Sequence, residues 1–159
     1  MNPCNCGYLG SGFRDCRCTP DQVHRYRDRI SGPLLDRFDL RVEVSRPGAA
    51  LFERGSSHNE ESSESIRARV VAARERQLLR QNCSNSELRG GELERVVTLR
   101  DEDRAFLAAA IERWGLSARA YHRVLRVARS IADLDDCADI DAAHIAEALA
   151  YRIGEAQAQ

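Results

Sequence analysis

The chain has 159 residues, 43% of them hydrophobic, which is enough for one domain or two small ones with an apolar core. No apolar run approaches the roughly 18 residues that span a membrane, and the first residues do not form a secretory signal, so we expect a cytoplasmic protein without a membrane partner. All 24 basic residues are arginine, which excludes a P-loop lysine and a lysine Schiff base, and the formal net charge of -1 provides no global field that would attract DNA.

The chain opens with a glycine-rich segment that has no periodicity and carries four cysteines, Cys4, Cys6, Cys16 and Cys18. Four thiolates can hold zinc tetrahedrally, and a glycine-rich connection allows the two pairs to converge. The Cys-x-Cys spacing is less diagnostic than Cys-x-x-Cys, and the alternative is a loop with four reduced thiols. The segment therefore predicts a structural zinc site formed by these four residues.

A helix start follows directly. Thr19 can cap a helix, Pro20 suits its first position, and Gln22 completes a capping box. The sequence predicts a short helix that stops before Gly32 and Pro33.

The segment 36–44 has the alternation of a strand. Its apolar members are separated by polar residues, and they are Phe38, Leu40, Val42 and Val44. A single strand cannot satisfy its own backbone, so it must join a sheet from elsewhere. Because no other segment supplies that sheet, residues 1–45 are interpreted as the tail of a larger domain.

The remainder of the chain divides into a linker and a helical domain. Proline, glycine and serine residues mark 46–63 as a linker or exposed loop. The pattern over 64–154 is entirely helical. It predicts a long helix from about Ile66, a short helix near Glu92, a helix from Asp101, and two helices capped by Ser117 and Asp141.

Arg37 lies between a turn and the predicted strand, where a guanidinium could project from a fixed backbone. An arginine in such a position can reach a phosphate bound by a neighbouring subunit and supply charge during phosphoryl transfer. From composition alone, however, a surface arginine beside Asp36 or Asp39 is the simpler interpretation.

Resemblance to a known family changes that balance. Residues 34–40, Leu-Leu-Asp-Arg-Phe-Asp-Leu, resemble the arginine-finger element of AAA+ proteins in the magnesium-chelatase and MCM-type branch. The opening Asn2 and Pro3 resemble the sensor 1 asparagine of these proteins, and the cysteine segment that follows is similar to that of the ComM/YifB family. Residues 116–123 resemble the start of the lid helix that bears sensor 2, and residues 125–134 and 144–152 complete the lid pattern.

The resemblance implies a role for each of three residues. Arg37 would act in trans as the arginine finger, Arg119 would contact nucleotide phosphate in its own subunit, and Asn2 would orient the attacking water. In the intact parent protein, the cofactors would be ATP and Mg²⁺. The parent would self-associate into a ring, bind DNA, and remodel it by helicase and branch-migration activity in natural transformation.

The fold implied by the resemblance is mainly α. It is a helical AAA+ lid domain over 64–154, preceded by a short remnant of an α/β AAA+ core over 1–45, comprising a loop, a helix and one strand. The family's Walker A and Walker B elements do not occur in these 159 residues, so we expect no ATP hydrolysis by this chain alone.

Two alternatives remain open at this stage. One is a non-enzymatic module in which a zinc loop and a helical bundle bind DNA or protein, although the near-zero net charge weakens its DNA version. The other is a motor subunit of a true magnesium chelatase, against which the cysteine segment argues.

Overall fold

The computed structural model describes residues 1–44 and 61–153, and these residues form seven α-helices and no strand. They fall into two compact units. The first contains Met1–Phe38 with Glu43 and Val44, and the second contains Asp39–Val42 with residues 61–153. The mainly α fold class is confirmed, whereas the predicted linker falls almost entirely outside the described residues.

Helix α1 (Pro20–Arg27) begins where the sequence predicts it. The Oγ1 atom of Thr19 accepts a hydrogen bond from the backbone N–H of Gln22 at 3.3 Å, and Oε1 of Gln22 accepts one from the N–H of Thr19 at 3.0 Å. Two backbone donors are thereby satisfied reciprocally, and Pro20 occupies a position where its missing N–H costs nothing. The predicted capping box is confirmed.

A second, one-turn helix, α2 (Gly32–Leu35), lies where the sequence predicted only a helix stop. The Ser31 hydroxyl accepts a hydrogen bond from the N–H of Leu34 at 3.4 Å and so caps this turn. Pro33 fits the first turn because an N–H there has no partner within the helix. Helix α1 already ends at Arg27, and Pro33 lies in the first turn of α2.

The strand predicted over 36–44 is not formed in the described residues. Asp36 caps the end of α2, and residues 38–44 have neither helical nor strand structure. The backbone N–H of Arg41 donates to the carbonyl oxygen of Tyr151 at 2.9 Å, so this bond goes to a helix rather than to a neighbouring strand. The alternating apolar side chains remain exposed, because the described residues offer no sheet for them to join.

The second unit contains the remaining helices. No helix in the described part of the chain is long and apolar enough to cross a membrane. All five helices predicted for this region are found. Their bounds are α3 (Ser63–Gln81), α4 (Gly90–Val96), α5 (Asp101–Arg113), α6 (Ala118–Leu134) and α7 (Ala142–Ile153), with a 3₁₀ turn at Asn85–Glu87 between α3 and α4.

Local signals in the sequence define the ends of these helices. The hydroxyl of Ser117 accepts a hydrogen bond from the N–H of Ala120 at 3.1 Å at the start of α6. The Oδ1 atom of Asp141 accepts bonds from Ala143 and His144 at the start of α7, at 2.9 and 3.1 Å. After α5, Gly115 adopts a φ of +57°, a left-handed conformation that glycine enters without steric cost.

The core of the second unit is built around α6. Its buried apolar residues recur at helical spacing and form one face, which consists of Val124, Leu125, Ala128, Ile131 and Ala132. That face packs in one cluster with apolar residues of α4, α5 and α7, among them Leu93, Leu107, Ile145 and Leu149. The other faces of α6 carry polar side chains, including those of Arg119, Arg123 and Arg129.

Candidate functional site

Four cysteine sulfurs converge in the first unit, as the sequence predicts. The Sγ atoms of Cys4 and Cys6 lie 3.4 Å apart, and Cys16 lies 3.6 Å from each of them. Together with Cys18, all four Sγ atoms lie within 4.8 Å of one another. Four sulfurs bound tetrahedrally to zinc at about 2.3 Å would be separated by about 3.8 Å. This arrangement could hold a metal ion.

The backbone of the glycine-rich loop brings the two cysteine pairs together. The N–H of Gly7 donates to the carbonyl oxygen of Cys4 at 3.1 Å, closing a tight turn just after the first pair. Gly7 has a φ of +78°, which a residue with a Cβ adopts only at a cost. The guanidinium of Arg27 on α1 donates through Nε to the carbonyl oxygen of Pro3 at 3.3 Å. The loop is thus attached to the first helix of the same unit.

The four thiols have different affinities for their protons. Backbone N–H groups of Tyr8 and Arg17 hydrogen-bond the Cys6 sulfur and lower its pKa to about 6. At Cys16, a backbone hydrogen bond from Cys18 favours the thiolate, but burial and hydrogen bonds to the neighbouring thiols outweigh it and raise the pKa to about 12. The cluster therefore shares negative charge unevenly, and full ionisation of all four thiols calls for a bound cation.

Arg37 extends from the end of α2. The N–H of Asp36 donates to the carbonyl of Gly32 at 2.8 Å, and the N–H of Arg37 donates to that of Leu34 at 2.9 Å. The backbone at Arg37 is therefore held by the last turn of the helix, while its side chain is exposed. The backbone of Arg37 is thus held by a hydrogen-bonded turn and not by the strand that the sequence predicted.

Asn2 lies beside the cysteine turn and is exposed. A Cβ atom at Gly7 would lie 3.5 Å from Nδ2 of Asn2, an ordinary contact distance, so the Asn2 side chain lies close to Gly7. The structure thus brings Asn2 together with the four cysteines in the first unit, which also contains Arg37.

Arg119 belongs to the second unit, in the first turn of α6, and its side chain is exposed. Ser117 caps this end of the helix, and Nδ1 of His122 lies 3.0 Å from the carbonyl oxygen of Ala118. Arg123 follows Arg119 by one turn on the same helix, and Nη1 of Arg123 lies 2.8 Å from Oδ1 of Asp39. Side chains four residues apart share one face of a helix.

A buried polar network in the second unit was not predicted from the sequence. Asp133, whose side chain is 1% exposed, accepts hydrogen bonds from Arg80 at 2.7 and 3.0 Å, from Asn85 at 2.8 Å and from Arg129 at 3.2 Å. Arg129 also donates to the carbonyl oxygens of Cys137 and Ala138, each at 2.7 Å. Only the Arg129–Asp133 pair, four residues apart on α6, carries a signal in the sequence.

Comparison with known families matches both parts of the chain. Residues 60–152 match the family described as "Magnesium chelatase, subunit ChlI C-terminal", and residues 1–51 match the family described as "Magnesium chelatase, subunit ChlI". The first match contains the helices of the second unit, and the second contains the cysteine cluster, Asn2 and Arg37.

Curated relatives align with almost the whole chain. It is 44% identical over 156 residues to "Competence protein ComM" of Haemophilus influenzae and 42% identical over 152 residues to "Uncharacterized protein YifB" of Escherichia coli, and each alignment covers 96% of this chain and 29% of the relative. It is 37% identical over 155 residues to "Uncharacterized protein Rv2897c" of Mycobacterium tuberculosis, covering 95% of this chain and 30% of the relative. The chain thus spans less than a third of the length of these relatives.

Proposed function

Because this chain belongs to the magnesium chelatase family, in the branch that contains ComM and YifB, we propose that it supplies the arginine finger, sensor residues and helical lid of an AAA+ ATPase. The chain contains no lysine and therefore no Walker A motif. On this proposal, the activity belongs to the intact parent protein, in which other residues cradle the β- and γ-phosphates of ATP and its Mg²⁺.

The observation that carries the proposal is the position of Arg37, an exposed residue at the end of α2. Its backbone is fixed by the hydrogen bond to Leu34 at the end of α2, and its guanidinium is exposed. An arginine finger must leave its own subunit and meet charge that develops on phosphate oxygens in the next one. A hydrogen-bonded turn with an exposed guanidinium meets that requirement, because the backbone that carries the finger is already ordered before the finger engages.

Arg119 has a complementary role in the proposal. It lies in the first turn of α6, where the exposed N-terminal end of the helix carries partial positive charge. The guanidinium of Arg119 and the N-terminal end of α6 would both attract the negative charge of a phosphate group. We assign Arg119 to the nucleotide of its own subunit, so that the lid senses whether ATP is bound.

The cysteine cluster is assigned to a structural zinc ion held by Cys4, Cys6, Cys16 and Cys18. The sulfur spacing fits a tetrahedral thiolate site, and the ion would neutralise charge that the four thiols cannot carry together. Because Asn2 lies against Gly7 in the same loop, a filled metal site would also fix Asn2, the residue proposed to orient the attacking water.

For the parent protein we propose ATP-driven remodelling of DNA by a ring of subunits in the cytoplasm, where thiols remain reduced. Support comes from a relative whose name places it in competence. The cysteine cluster also favours the ComM/YifB branch over a motor subunit of a true magnesium chelatase. Stimulation of ATP turnover by branched DNA would distinguish the two functions.

Substitution of Arg37 in the intact parent tests the proposal. Steady-state phosphate release by Arg37→Ala should fall by about 10³-fold or more, since a finger contributes at least that factor to phosphoryl transfer. Nucleotide affinity should be unchanged, because the finger contacts the ATP of the neighbouring subunit. Arg25→Ala, which removes another exposed arginine of the first unit, is the matched control and should keep full turnover. Retention of turnover by Arg37→Ala would refute the proposed function.

A further inference from the structure

Two cysteines of the cluster lie close enough to form a disulfide bond. The Sγ atoms of Cys6 and Cys16 are 3.6 Å apart, and both residues are half-buried, so that solvent reaches each of them in part. A disulfide has a sulfur–sulfur distance of about 2.05 Å, so the two atoms need to approach by only about 1.5 Å. Cys4 also lies within 3.6 Å of both sulfurs, but it is 0% exposed, and an oxidant in solution does not reach it directly.

An open groove gives small molecules access to the loop. It has a volume of about 440 Å³ and is lined by Tyr8 and residues 10–16, so that Cys16 forms part of its wall. A Cβ atom added at Gly10 or Gly12 would have nothing within 4 Å, so the wall is uncrowded at these two positions. A molecule as small as hydrogen peroxide can therefore approach Cys16 from this side.

The chain between Cys6 and Cys16 can follow the small movement that a disulfide requires. The two residues are ten positions apart, and the loop between them contains three glycines with positive φ angles, which adjust at low steric cost. A disulfide between Cys4 and Cys6, or between Cys16 and Cys18, would span a single intervening residue, which leaves little freedom to reach disulfide geometry. The loop therefore favours a bond across it over a bond within either Cys-x-Cys pair.

We propose that the cysteine cluster is an oxidation-sensitive site, in which a hydroperoxide joins Cys6 to Cys16 by a disulfide bond and zinc is thereby released. The proposal rests on the zinc site of the proposed function and goes beyond it. After oxidation, Cys4 and Cys18 are the thiolates of the cluster that remain, and two thiolates do not complete the four-coordinate site of a structural zinc ion. In a reducing compartment such a disulfide is transient, as is typical of redox sensing.

The oxidation takes place in two steps. In the zinc-loaded cluster both sulfurs are thiolates, because metal binding displaces their protons. The Cys16 sulfur attacks one oxygen of hydrogen peroxide, the O–O bond breaks, and Cys16 becomes a sulfenic acid while hydroxide leaves. The Cys6 sulfur then attacks the sulfur of Cys16, the S–S bond forms, the S–O bond breaks, and a second hydroxide leaves. Two thiolates, one hydrogen peroxide and two protons from solvent thus yield one disulfide and two water molecules.

The test treats the reduced, zinc-loaded 159-residue chain with hydrogen peroxide. A chromogenic chelator measures the released zinc, and disulfides are mapped by trypsin digestion without reduction, after the remaining thiols have been alkylated. Trypsin cleaves after Arg14 and Arg17, so that Cys16 is released on a peptide of its own. Fragmentation in the mass spectrometer then distinguishes Cys4 from Cys6 on the peptide linked to it.

We expect a link between Cys6 and Cys16 that accumulates in step with the release of about one zinc ion per disulfide. Dithiothreitol with added zinc should restore both the free thiols and the bound metal. The proposal is overturned if peroxide consumes the thiols without forming this link, if a bond within either Cys-x-Cys pair dominates, or if zinc stays bound while the link accumulates.

Two variants serve as controls. Cys83→Ser combined with Cys137→Ser removes the cysteines outside the cluster, and both the link and the release of zinc should be unchanged. Cys18→Ser keeps Cys6 and Cys16 and should still form the link between them. Loss of the link in this variant would identify Cys18 as a required partner and contradict the proposed pair.

The zinc content before oxidation tests the proposed metal site separately. A reduced chain that contains no zinc but still forms the Cys6–Cys16 link would refute the metal site and support the disulfide. A chain that binds zinc but forms no such link under peroxide would overturn the present proposal and leave the metal site standing.

Discussion

Asp133 of α6 and Arg80 of α3 form a two-pronged ion pair, in which Nη1 of Arg80 lies 2.7 Å from Oδ1 and Nη2 lies 3.0 Å from Oδ2. Asn85 and Arg129 occupy the remaining positions around the carboxylate. Every lone pair of a nearly inaccessible charge is thus engaged, and the pair joins two helices that are 53 residues apart at this point. The lid is held together here by polar contacts as well as by its apolar core.

Removal of the Asp133 carboxylate should therefore destabilise the second unit strongly. We expect Asp133→Ala to cost about 3 kcal/mol or more in the free energy of unfolding, because Arg129 would remain buried without its charge partner. Chemical denaturation followed by circular dichroism measures the change. Asp136→Asn is the control. It removes the charge that pairs with Arg76, an ion pair that is 77% exposed on the aspartate side and should matter much less, and asparagine tolerates the φ of +61° at this position. Equal losses for the two variants would contradict the importance of the network.

The same carboxylate should make stability depend on acid pH. Burial raises the pKa of Asp133, but hydrogen bonds from Arg80 and Asn85 and the charge of Arg129 outweigh burial and leave the pKa lowered. A lowered folded-state pKa gives stability that is present above the unfolded value of about 3.9 and is lost as pH falls through the folded value. The free energy of unfolding should thus fall more steeply below pH 4 in wild type than in Asp133→Asn. Parallel pH profiles would refute this contribution.

The cysteine cluster should bind zinc. Protein purified without chelator should contain about one equivalent of zinc by elemental analysis, and Cys4→Ser or Cys16→Ser should reduce it. Cys83→Ser is the control, because Cys83 packs against the core of the second unit and takes no part in the cluster. Metal-free protein whose four thiols titrate freely, with an unchanged fold, would show that the loop carries reduced thiols only.

Much of the fold follows from local signals in the sequence. The capping box of Thr19 and Gln22 and the caps of Ser117 and Asp141 fix helix starts within one turn of the chain, so sequence alone places them. The convergence of the cysteines was also predictable, because glycines between the pairs permit the required turns. These features need no information about distant parts of the chain.

The remainder depends on distant partners. Residues 38–44 have the alternation of a strand, yet a strand forms only beside another strand. In the described residues, Asp39 pairs with Arg123 of α6, and the N–H of Arg41 donates to Tyr151 of α7. Asp133 contacts Arg80 and Asn85, which are 53 and 48 residues away along the chain, and no periodic pattern in the sequence predicts these contacts. The network could not be predicted because its members are far apart in sequence, although their residue types are ordinary.

The most direct test of the proposed function is complementation between Arg37→Ala and Arg119→Ala in the intact parent protein. Each variant alone should lose ATP turnover, Arg37→Ala by about 10³-fold or more, because one lacks the finger offered to its neighbour and the other lacks the contact to its own nucleotide. In a mixed ring, an Arg37→Ala subunit keeps a complete site and receives a finger from an Arg119→Ala subunit. Phosphate release by the mixture should therefore rise well above that of either variant, with a maximum at intermediate ratios. If mixed rings form and phosphate release stays at the level of the separate variants at every ratio, Arg37 does not act in trans and the account is contradicted.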